Sequence, residues 1–298
     1  MEKVSVIIPT KNRINELRIC LQSIYAQDYR IYEVIVIDDA STDGTFAMLR
    51  STFPHVILLT NPSGITPCKA RNFGMAKSQG SYLWFLDSDS KVSGRKCLSF
   101  MIDVIKKNPK VGSIGGTVYV YPDGSESMII PQLNQFSLKR NWDNKQFEYI
   151  ECDYVSTSNM LIRKETLQNL GGFDEIYGYM MEDNDIGIKL NKKGLLNVID
   201  RRCIVKHPFK TVHENLYKSF LFYRNTFIFI YQHYSSFAWI TKIGHKVQLG
   251  NLRNKQNTKY SNYQKKLYSK YFIVLAVLTG FVTSVPLFLF SKINRKLK

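Results

Sequence analysis

The first half of the chain alternates short apolar runs with amphipathic stretches, and this alternation restricts the fold more than any other feature. In residues 14–26, Ile14, Leu17, Leu21 and Ile24 recur with helical spacing and share one face. Alternating strands and helices are the pattern of βα units, so we expect an α/β fold with a mainly parallel sheet and helices on both faces. The predicted strands lie at residues 4–8, 34–37, 56–59 and 82–86, and the predicted helices at residues 14–26, 67–78 and 97–107.

Beyond residue 109 the alternation becomes less regular. We predict strands around residues 111–121 and 154–162, with an irregular loop over residues 122–146. A helix is predicted over residues 182–193, ending at Gly194. The chain of 298 residues, with 44% hydrophobic residues, can bury one sizeable core and leave some length for an appendage.

The net charge of +17 is concentrated in the last third of the sequence. Residues 201–298 contain 18 Lys and Arg and one acidic residue, Glu214, whereas residues 1–200 contain 23 basic and 23 acidic residues. A neutral body carries no basic groove for nucleic acid, so a nucleic-acid-binding protein is disfavoured. A basic, aromatic-rich tail is typical of a segment that binds the phosphates of a membrane surface.

Residues 271–290 form an uncharged stretch inside this basic tail, flanked by lysine and arginine on both sides. About twenty such residues are long enough to cross the hydrocarbon core of a bilayer. Whether the stretch spans the membrane or lies in its interface stays open. We therefore predict two regions, a folded domain over residues 1–225 and a membrane-associating region over residues 226–298.

The five cysteines are never closely paired along the sequence, which disfavours a zinc knuckle or a disulfide framework. The sequence opens on a strand-like run without a signal-peptide pattern. Both features favour a reducing compartment. We expect the protein at the cytoplasmic face of the cell membrane.

Two acidic clusters follow predicted strands, where ligands bind in open α/β sheets. Residues 38–45 read DDASTDGT, and a carboxylate there can accept hydrogen bonds from a nucleobase or ribose. An ordinary Asp-rich turn with a helix cap has the same composition.

Asp87-Ser88-Asp89 follows the aromatic strand, and its two carboxylates can hold a divalent metal with a diphosphate in the remaining positions. A capped loop is the alternative for this second cluster.

A third acidic cluster, Glu182-Asp183-Asn184-Asp185, opens the predicted helix after Gly171-Gly172-Phe173-Asp174-Glu175. Carboxylates at a helix N-terminus are favoured by the helix dipole, so a purely stabilising role is one interpretation. The other interpretation is a general base, because a hydroxyl that attacks an anomeric carbon must lose its proton.

Together these segments resemble the family 2 glycosyltransferases of the GT-A fold, over roughly residues 4–225. The resemblance implies a Rossmann-like domain that uses a nucleotide sugar and a divalent metal, Mn²⁺ or Mg²⁺, and inverts the anomeric centre. The matching segments, in the family's order, are VSVIIPTKNR (4–13), residues 38–45, KARNFG (69–74), Asp87-Ser88-Asp89, GGFDE (171–175) and EDND (182–185).

The resemblance also implies roles for individual residues. Asp183 is the expected base, with Glu182 orienting it or contacting the acceptor. Asp89 is the expected metal ligand, and His207 a second one, although His213 is an alternative. A solvated helix face is the alternative for Lys69 and Arg71. The residues expected to bind the nucleotide sugar, a UDP- or dTDP-sugar, are Pro9, Thr10, Arg13, Asp38, Asp39, Lys69, Arg71, Asp87 and Ser88.

We therefore expect a transferase that moves a sugar to a saccharide or lipid-linked saccharide acceptor in the assembly of a surface polysaccharide. A polyisoprenyl-phosphate sugar synthase is one alternative, but an ionised phosphate acceptor needs no base and leaves Asp183 unexplained. A non-catalytic nucleotide-sugar-binding relative is the other, and the intact acidic clusters disfavour it. Lys189 stands where many relatives have arginine, which keeps the charge and loses the bidentate geometry.

Overall fold

The computed structural model describes residues 1–61, 64–120, 124–128, 149–208 and 216–233. The chain forms two compact units, one comprising Met1–Gly178 and Glu182–Lys210 and the other Tyr179–Met181 and Thr211–Lys298. The predicted division at residue 225 lies inside the helix Leu216–His233 of the second unit, and it stays a prediction. In chain order the elements are β1 (Val4–Thr10), α1 (Ile14–Tyr25), β2 (Glu33–Asp38), α2 (Thr45–Thr52), β3 (Ile57–Thr60), α3 (Pro67–Lys77), β4 (Tyr82–Leu86), β5 (Lys91–Val92), α4 (Cys97–Lys107), β6 (Val111–Gly115), β7 (Thr117–Val120), β8 (Glu126–Met128), β9 (Tyr149–Cys152), β10 (Asn159–Arg163), α5 (Lys164–Asn169), α6 (Glu182–Lys192), β11 (Leu196–Asp200), β12 (Val205–Pro208) and α7 (Leu216–His233).

The first unit contains an eight-stranded sheet in the order β3-β2-β1-β4-β10-β6-β11-β9. Strands β3, β2, β1 and β4 are parallel, as the βα pattern predicts. Strand β10 runs antiparallel to both β4 and β6, and β9 runs antiparallel to β11. The sheet is therefore mixed but mainly parallel, as expected: β11 runs parallel to β6, so six of the eight strands run in the same direction. Each crossover in its N-terminal half is a helix.

Helices cover both faces of this sheet. Val4, Val6 and Ile8 alternate along β1 and pack in one apolar core with residues of α1 and α4. On the opposite face, Gly74 of α3 lies so close to the sheet that a Cβ there would be 2.6 Å from Ile7 Cγ2. Only a glycine allows α3 to approach the sheet this closely, and α3 carries part of the site described below.

A second, four-stranded sheet in the order β5-β12-β7-β8 was not predicted. The strand region around residues 111–121 consists of β6 and β7, which belong to different sheets. The chain changes sheet at Gly116, where a Cβ would lie 2.6 Å from the carbonyl oxygen of Asp200 and 2.7 Å from that of Cys203.

Two local expectations are wrong. Residues 154–158 are not strand, because their polar groups hydrogen-bond locally and β10 begins only at Asn159. Residues 126–128 of the expected loop form β8, which pairs with β7. Residues 129–146 of that loop lie outside the described residues.

Among the described helices, none has both the length and the apolar character needed to cross a membrane. The uncharged stretch at residues 271–290 lies outside the described residues.

Candidate active site

The carboxyl end of β2 positions the first acidic cluster. Asp38 is the last residue of β2, and the buried Asp39 follows it, with its backbone N–H bonded to the carbonyl of Thr10 at 2.9 Å. The Asp39 carboxylate accepts a hydrogen bond from the backbone N–H of Ile65 and forms an ion pair with Lys11, at 2.9 Å from Nζ to Oδ2. Asp39 is thus held on a rigid element, with a cationic side chain of the β1–α1 loop against it.

The carboxyl end of β4 positions the second cluster beside a histidine from β12. His207 Nε2 lies 3.1 Å from Asp89 Oδ1 and 3.4 Å from Asp87 Oδ2. One ligand atom from each of these three residues lies within 4.8 Å of the others. Burial opposes protonation of His207, but its hydrogen bonds to Asp87 and Asp89 raise the pKa of the imidazole to about 9. The histidine therefore supplies a positive charge to the acidic pair.

These three side chains fit a divalent cation. Two carboxylates and one imidazole are ligands that Mn²⁺ accepts readily, and Mg²⁺ is held through carboxylates and substrate phosphates. The side chain of Asp89 is only 2% exposed, and a buried carboxylate needs a positive partner. A divalent cation bound by Asp87, Asp89 and His207 would supply this positive charge, which the protonated imidazole of His207 otherwise supplies.

Arg71 links the second and third acidic clusters from the buried face of α3. Its Nη2 donates to Asp87 Oδ1 and its Nη1 to Glu182 Oε1, both at 2.8 Å. Its guanidinium also lies over the ring of Phe173, 5.8 Å from the centroid. Although burial acts in the opposite direction, the hydrogen bond to His207 and the charge of Arg71 hold the pKa of Asp87 below its ordinary value. Arg71 thus joins two carboxylates from distant parts of the chain, those of Asp87 and Glu182, through one buried guanidinium.

Asp183 is the second residue of α6 and is half-buried. Its Oδ1 accepts a hydrogen bond from the backbone N–H of Asn184 at 2.9 Å. Burial and the adjacent negative charge of Glu182 raise the pKa of Asp183 to about 8. A carboxylate with such a pKa is a stronger base near neutral pH than an ordinary aspartate.

The sequence matches the family model Glycosyl transferase family 2 over residues 5–171, more than half of the chain. The chain belongs to this family. Its fold is that of GT-A glycosyltransferases, as shown by a TM-score of 0.58 to the crystal structure of GalNAc-T7 with UDP, GalNAc and Mn2+, at 17% identity over 71% of this chain and 44% of that chain.

Curated relatives of this family 2 glycosyltransferase come from several organisms. The O-antigen biosynthesis protein RfbC of Myxococcus xanthus is 27% identical, over 65% of this chain and 16% of its own length. An uncharacterised glycosyltransferase of Haemophilus influenzae is 25% identical, over 74% of this chain and 85% of its own length. Glycosyltransferase AglE of Haloferax volcanii is 29% identical, over 57% of this chain and 55% of its own length. The match thus spans a sixth of RfbC, about half of AglE and most of the Haemophilus protein.

Several residues that the family resemblance implies are brought together. Asp87, Asp89 and His207 form one cluster, and Arg71 connects it to Glu182, which is adjacent to Asp183. Pro9 and Thr10 end β1, and Thr10 pairs in register with Asp38 of β2. Ser88 is buried between the two aspartates. His213, the alternative to His207, lies outside the described residues.

Lys69 and Arg71, both expected to bind the nucleotide sugar, differ in their surroundings. Both Nη groups of Arg71 donate to carboxylates, and Lys69 lies on the exposed side of α3. Asp38 accepts a hydrogen bond from the backbone N–H of Ser41 at 3.2 Å, which shapes the turn before α2. Lys189 pairs with Asp185 of its own helix at 2.5 Å.

The sequence did not predict the ion pairs formed by the two cationic residues of the β1–α1 loop. Arg13 forms an ion pair with Asp89, and Lys11 forms one with Asp39. The sequence placed Arg13 in the nucleotide pocket but gave no sign of its acidic partner, because ion pairs between distant residues leave no periodic signal.

Proposed function

We propose that this protein transfers a sugar from a nucleoside-diphosphate sugar to a hydroxyl of a saccharide or lipid-linked saccharide, with inversion at the anomeric carbon. The observation that carries the proposal is the Arg71 bridge. It joins Asp87, at the end of β4, to Glu182, the neighbour of Asp183 at the start of α6, with 2.8 Å contacts to each. The carboxylate proposed to bind the donor and the carboxylate next to the proposed base therefore share one buried guanidinium.

Asp183 is proposed as the residue that removes the proton from the acceptor hydroxyl. Its raised pKa of about 8 suits a general base, which works best near the operating pH. Attack by an activated hydroxyl on the face opposite the leaving diphosphate gives inversion. Glu182 has one carboxylate oxygen on Arg71, while Oε2 is buried without a hydrogen-bond partner among the described residues, which leaves it able to receive an acceptor hydroxyl.

Asp87, Asp89 and His207 are the proposed ligands of Mn²⁺ or Mg²⁺. When bound, such a cation neutralises the charge that builds on the departing diphosphate. Asp39 is proposed to hold the uracil or thymine base, because its carboxylate lies at the end of β2 and already accepts a backbone N–H there. Lys11 and Arg13 must release Asp39 and Asp89 for base and metal to bind.

Membrane attachment at the cytoplasmic face is also proposed. The support is the +17 charge, which lies wholly within residues 201–298, and the uncharged stretch at residues 271–290 within it. About 1 kcal/mol per Lys or Arg near an anionic surface favours recruitment of such a tail. A role in surface polysaccharide assembly is supported by the likeness to the O-antigen biosynthesis protein RfbC.

The proposal is tested by incubating the full chain with UDP-, dTDP- and GDP-sugars, with and without Mn²⁺, and with saccharide or polyprenyl-phosphate acceptors. We expect metal-dependent release of UDP or dTDP that increases with a saccharide acceptor. Transfer to polyprenyl phosphate alone would identify a lipid-phosphate sugar synthase. Binding without turnover of any donor would identify a non-catalytic relative.

A further inference from the structure

Asn225 lies in α7, within the pair Arg224-Asn225, and its side chain is completely buried. Its amide nitrogen donates to the backbone carbonyl of Met180 at 3.0 Å and also to the carbonyl of Tyr179. Its oxygen accepts from Arg224 Nε at 3.0 Å. Because a donor faces the oxygen and two acceptors face the nitrogen, only one orientation of the carboxamide satisfies all three contacts.

The carbonyls that Asn225 binds belong to an unusual piece of backbone. Met180 has φ 63° and Met181 has φ 71°, and they are two of the four non-glycine residues with positive φ among the described residues. Side chains with a Cβ seldom adopt this conformation, and two in succession are rarer still. Such a conformation persists only where surrounding contacts hold it. Asn225 provides contacts of that kind from within the same compact unit.

The strained pair leads directly into the residues proposed for catalysis. The peptide bond after Met181 joins it to Glu182, the first residue of α6, and Asp183 follows. The dihedral angles of Met180 and Met181 therefore set the direction in which the chain begins α6. A proton acceptor must be within hydrogen-bond reach of the acceptor hydroxyl, so a change in this direction moves the base out of range.

We propose that Asn225 is a positioning residue for the base: it holds Met180 and Met181 in the left-handed conformation and so fixes the start of α6 that carries Asp183. The role of Asp183 rests on the proposed function. The restraint on the backbone does not, and it can be measured without turnover.

The test uses the full-length chain with Asn225→Asp, which keeps the shape but places a carboxylate oxygen against two carbonyls. Hydrogen–deuterium exchange of residues 179–185 is measured together with the binding of UDP in the presence of Mn²⁺. We expect exchange in this segment to accelerate by about tenfold or more, while β1 and β4 keep their protection. UDP affinity should stay within about twofold and the turnover number should fall, since Asn225 acts through the base. Tyr217→Ala, an exposed change on the same helix, is the matched control and should alter neither quantity.

A second variant separates positioning from general support of the fold. Met180→Gly permits the left-handed conformation without steric cost, so the chain depends less on Asn225. In the Met180→Gly background, Asn225→Asp should accelerate local exchange several-fold less than in the wild-type background. If Asn225→Asp does not fold, Asn225→Ser, which keeps one donor, is compared in the same two backgrounds.

Unchanged exchange in residues 179–185, or equal acceleration in both backgrounds, would overturn the inference. A uniform loss of protection across the chain would also overturn it, because that result assigns Asn225 to global stability. If the wild-type chain turned over no donor, the proposed function would fail, while the exchange measurement would still decide the role of Asn225.

Discussion

Arg71 Nη1 and Glu182 Oε1 lie 2.8 Å apart in a buried ion pair that joins α3 to the first residue of α6. The side chains are 4% and 8% exposed. Because the same guanidinium also binds Asp87, Arg71 connects the end of β4 that is proposed to bind the donor with the helix that is proposed to carry the base.

Arg71→Met should destabilise the fold as well as impair transfer. Removing the guanidinium leaves the buried Glu182 without its cation and Asp87 with His207 alone, and breaking a buried pair costs about 3–5 kcal/mol. The free energy of unfolding, measured by urea denaturation, checks this. Arg50→Met, at an exposed position of α2, is the control and should change stability by less than about 0.5 kcal/mol. A loss for Arg71→Met no larger than that of the control would show that the bridge contributes nothing.

Asp183→Asn should reduce the turnover number by about 10²–10⁴-fold, the usual contribution of general-base catalysis, because asparagine keeps the shape and cannot take the proton. Donor affinity, measured as UDP binding, should change little. Asp103→Asn, an exposed aspartate on α4, is the matched control. If Glu182→Gln lost most of its turnover and Asp183→Asn kept it, the roles of the two carboxylates would be reversed.

The pKa of Asp183 predicts opposite pH trends for activity and stability. A base with a pKa of about 8 is protonated below that pH, so kcat/KM should fall about tenfold per pH unit below it and level off above it. The folded-state pKa lies above the ordinary value of 3.8, so the folded chain holds this proton between about pH 4 and 8 while the unfolded chain has lost it. The stabilising effect is complete below pH 4 and is lost as the pH rises through 8.

Asp183→Asn isolates this titration in an unfolding experiment. Relative to its value at pH 4, the stability of the variant minus that of wild type should increase steadily up to pH 8. A difference that stays constant over this range would contradict the raised pKa.

Deleting residues 271–298 should weaken attachment to membranes. Full-length protein should sediment with anionic vesicles and resist extraction by high salt, because insertion of about twenty apolar residues is effectively permanent. The truncated protein should still bind UDP and should be released, at least partly, by salt, since its remaining attraction is screened. Release of the full-length protein by salt alone would leave only electrostatic attachment.

The sequence predicted most helices and strands, including the helix that begins at Glu182, but it did not predict how the strands of the second half pair. The predicted bounds of strand 82–86 and of helix 97–107 are the same as those of β4 and α4. Apolar runs of strand length and helical periodicity are local signals, so the sequence contains them. The antiparallel insertion of β10 between β4 and β6 depends on pairing between distant segments, and so does the second sheet. The sequence offers no local pattern for either.

The site shows the same division. The acidic clusters at strand ends were visible, because each follows a strand or opens a helix in sequence. The Arg71 bridge, the Arg13–Asp89 pair and the Asn225 contacts join residues that are far apart along the chain. The strained conformation of Met180 and Met181 was equally invisible, because methionine gives no turn signal of the kind that glycine or asparagine gives.

The most direct test of the central claim compares wild type with Asp89→Ala in metal-dependent binding and turnover of a nucleotide sugar. The Asp89 carboxylate is buried, pairs with Arg13 and lies 3.1 Å from His207, so its removal takes one proposed ligand from the metal site. We predict that wild type binds UDP more tightly with Mn²⁺ than without it and transfers sugar only when the metal is present. Asp89→Ala should stay folded, lose the metal-dependent increase in affinity and lose transfer, while Asp103→Ala retains both. Equal transfer by wild type and Asp89→Ala, or transfer by wild type in the presence of a chelator, would contradict the account.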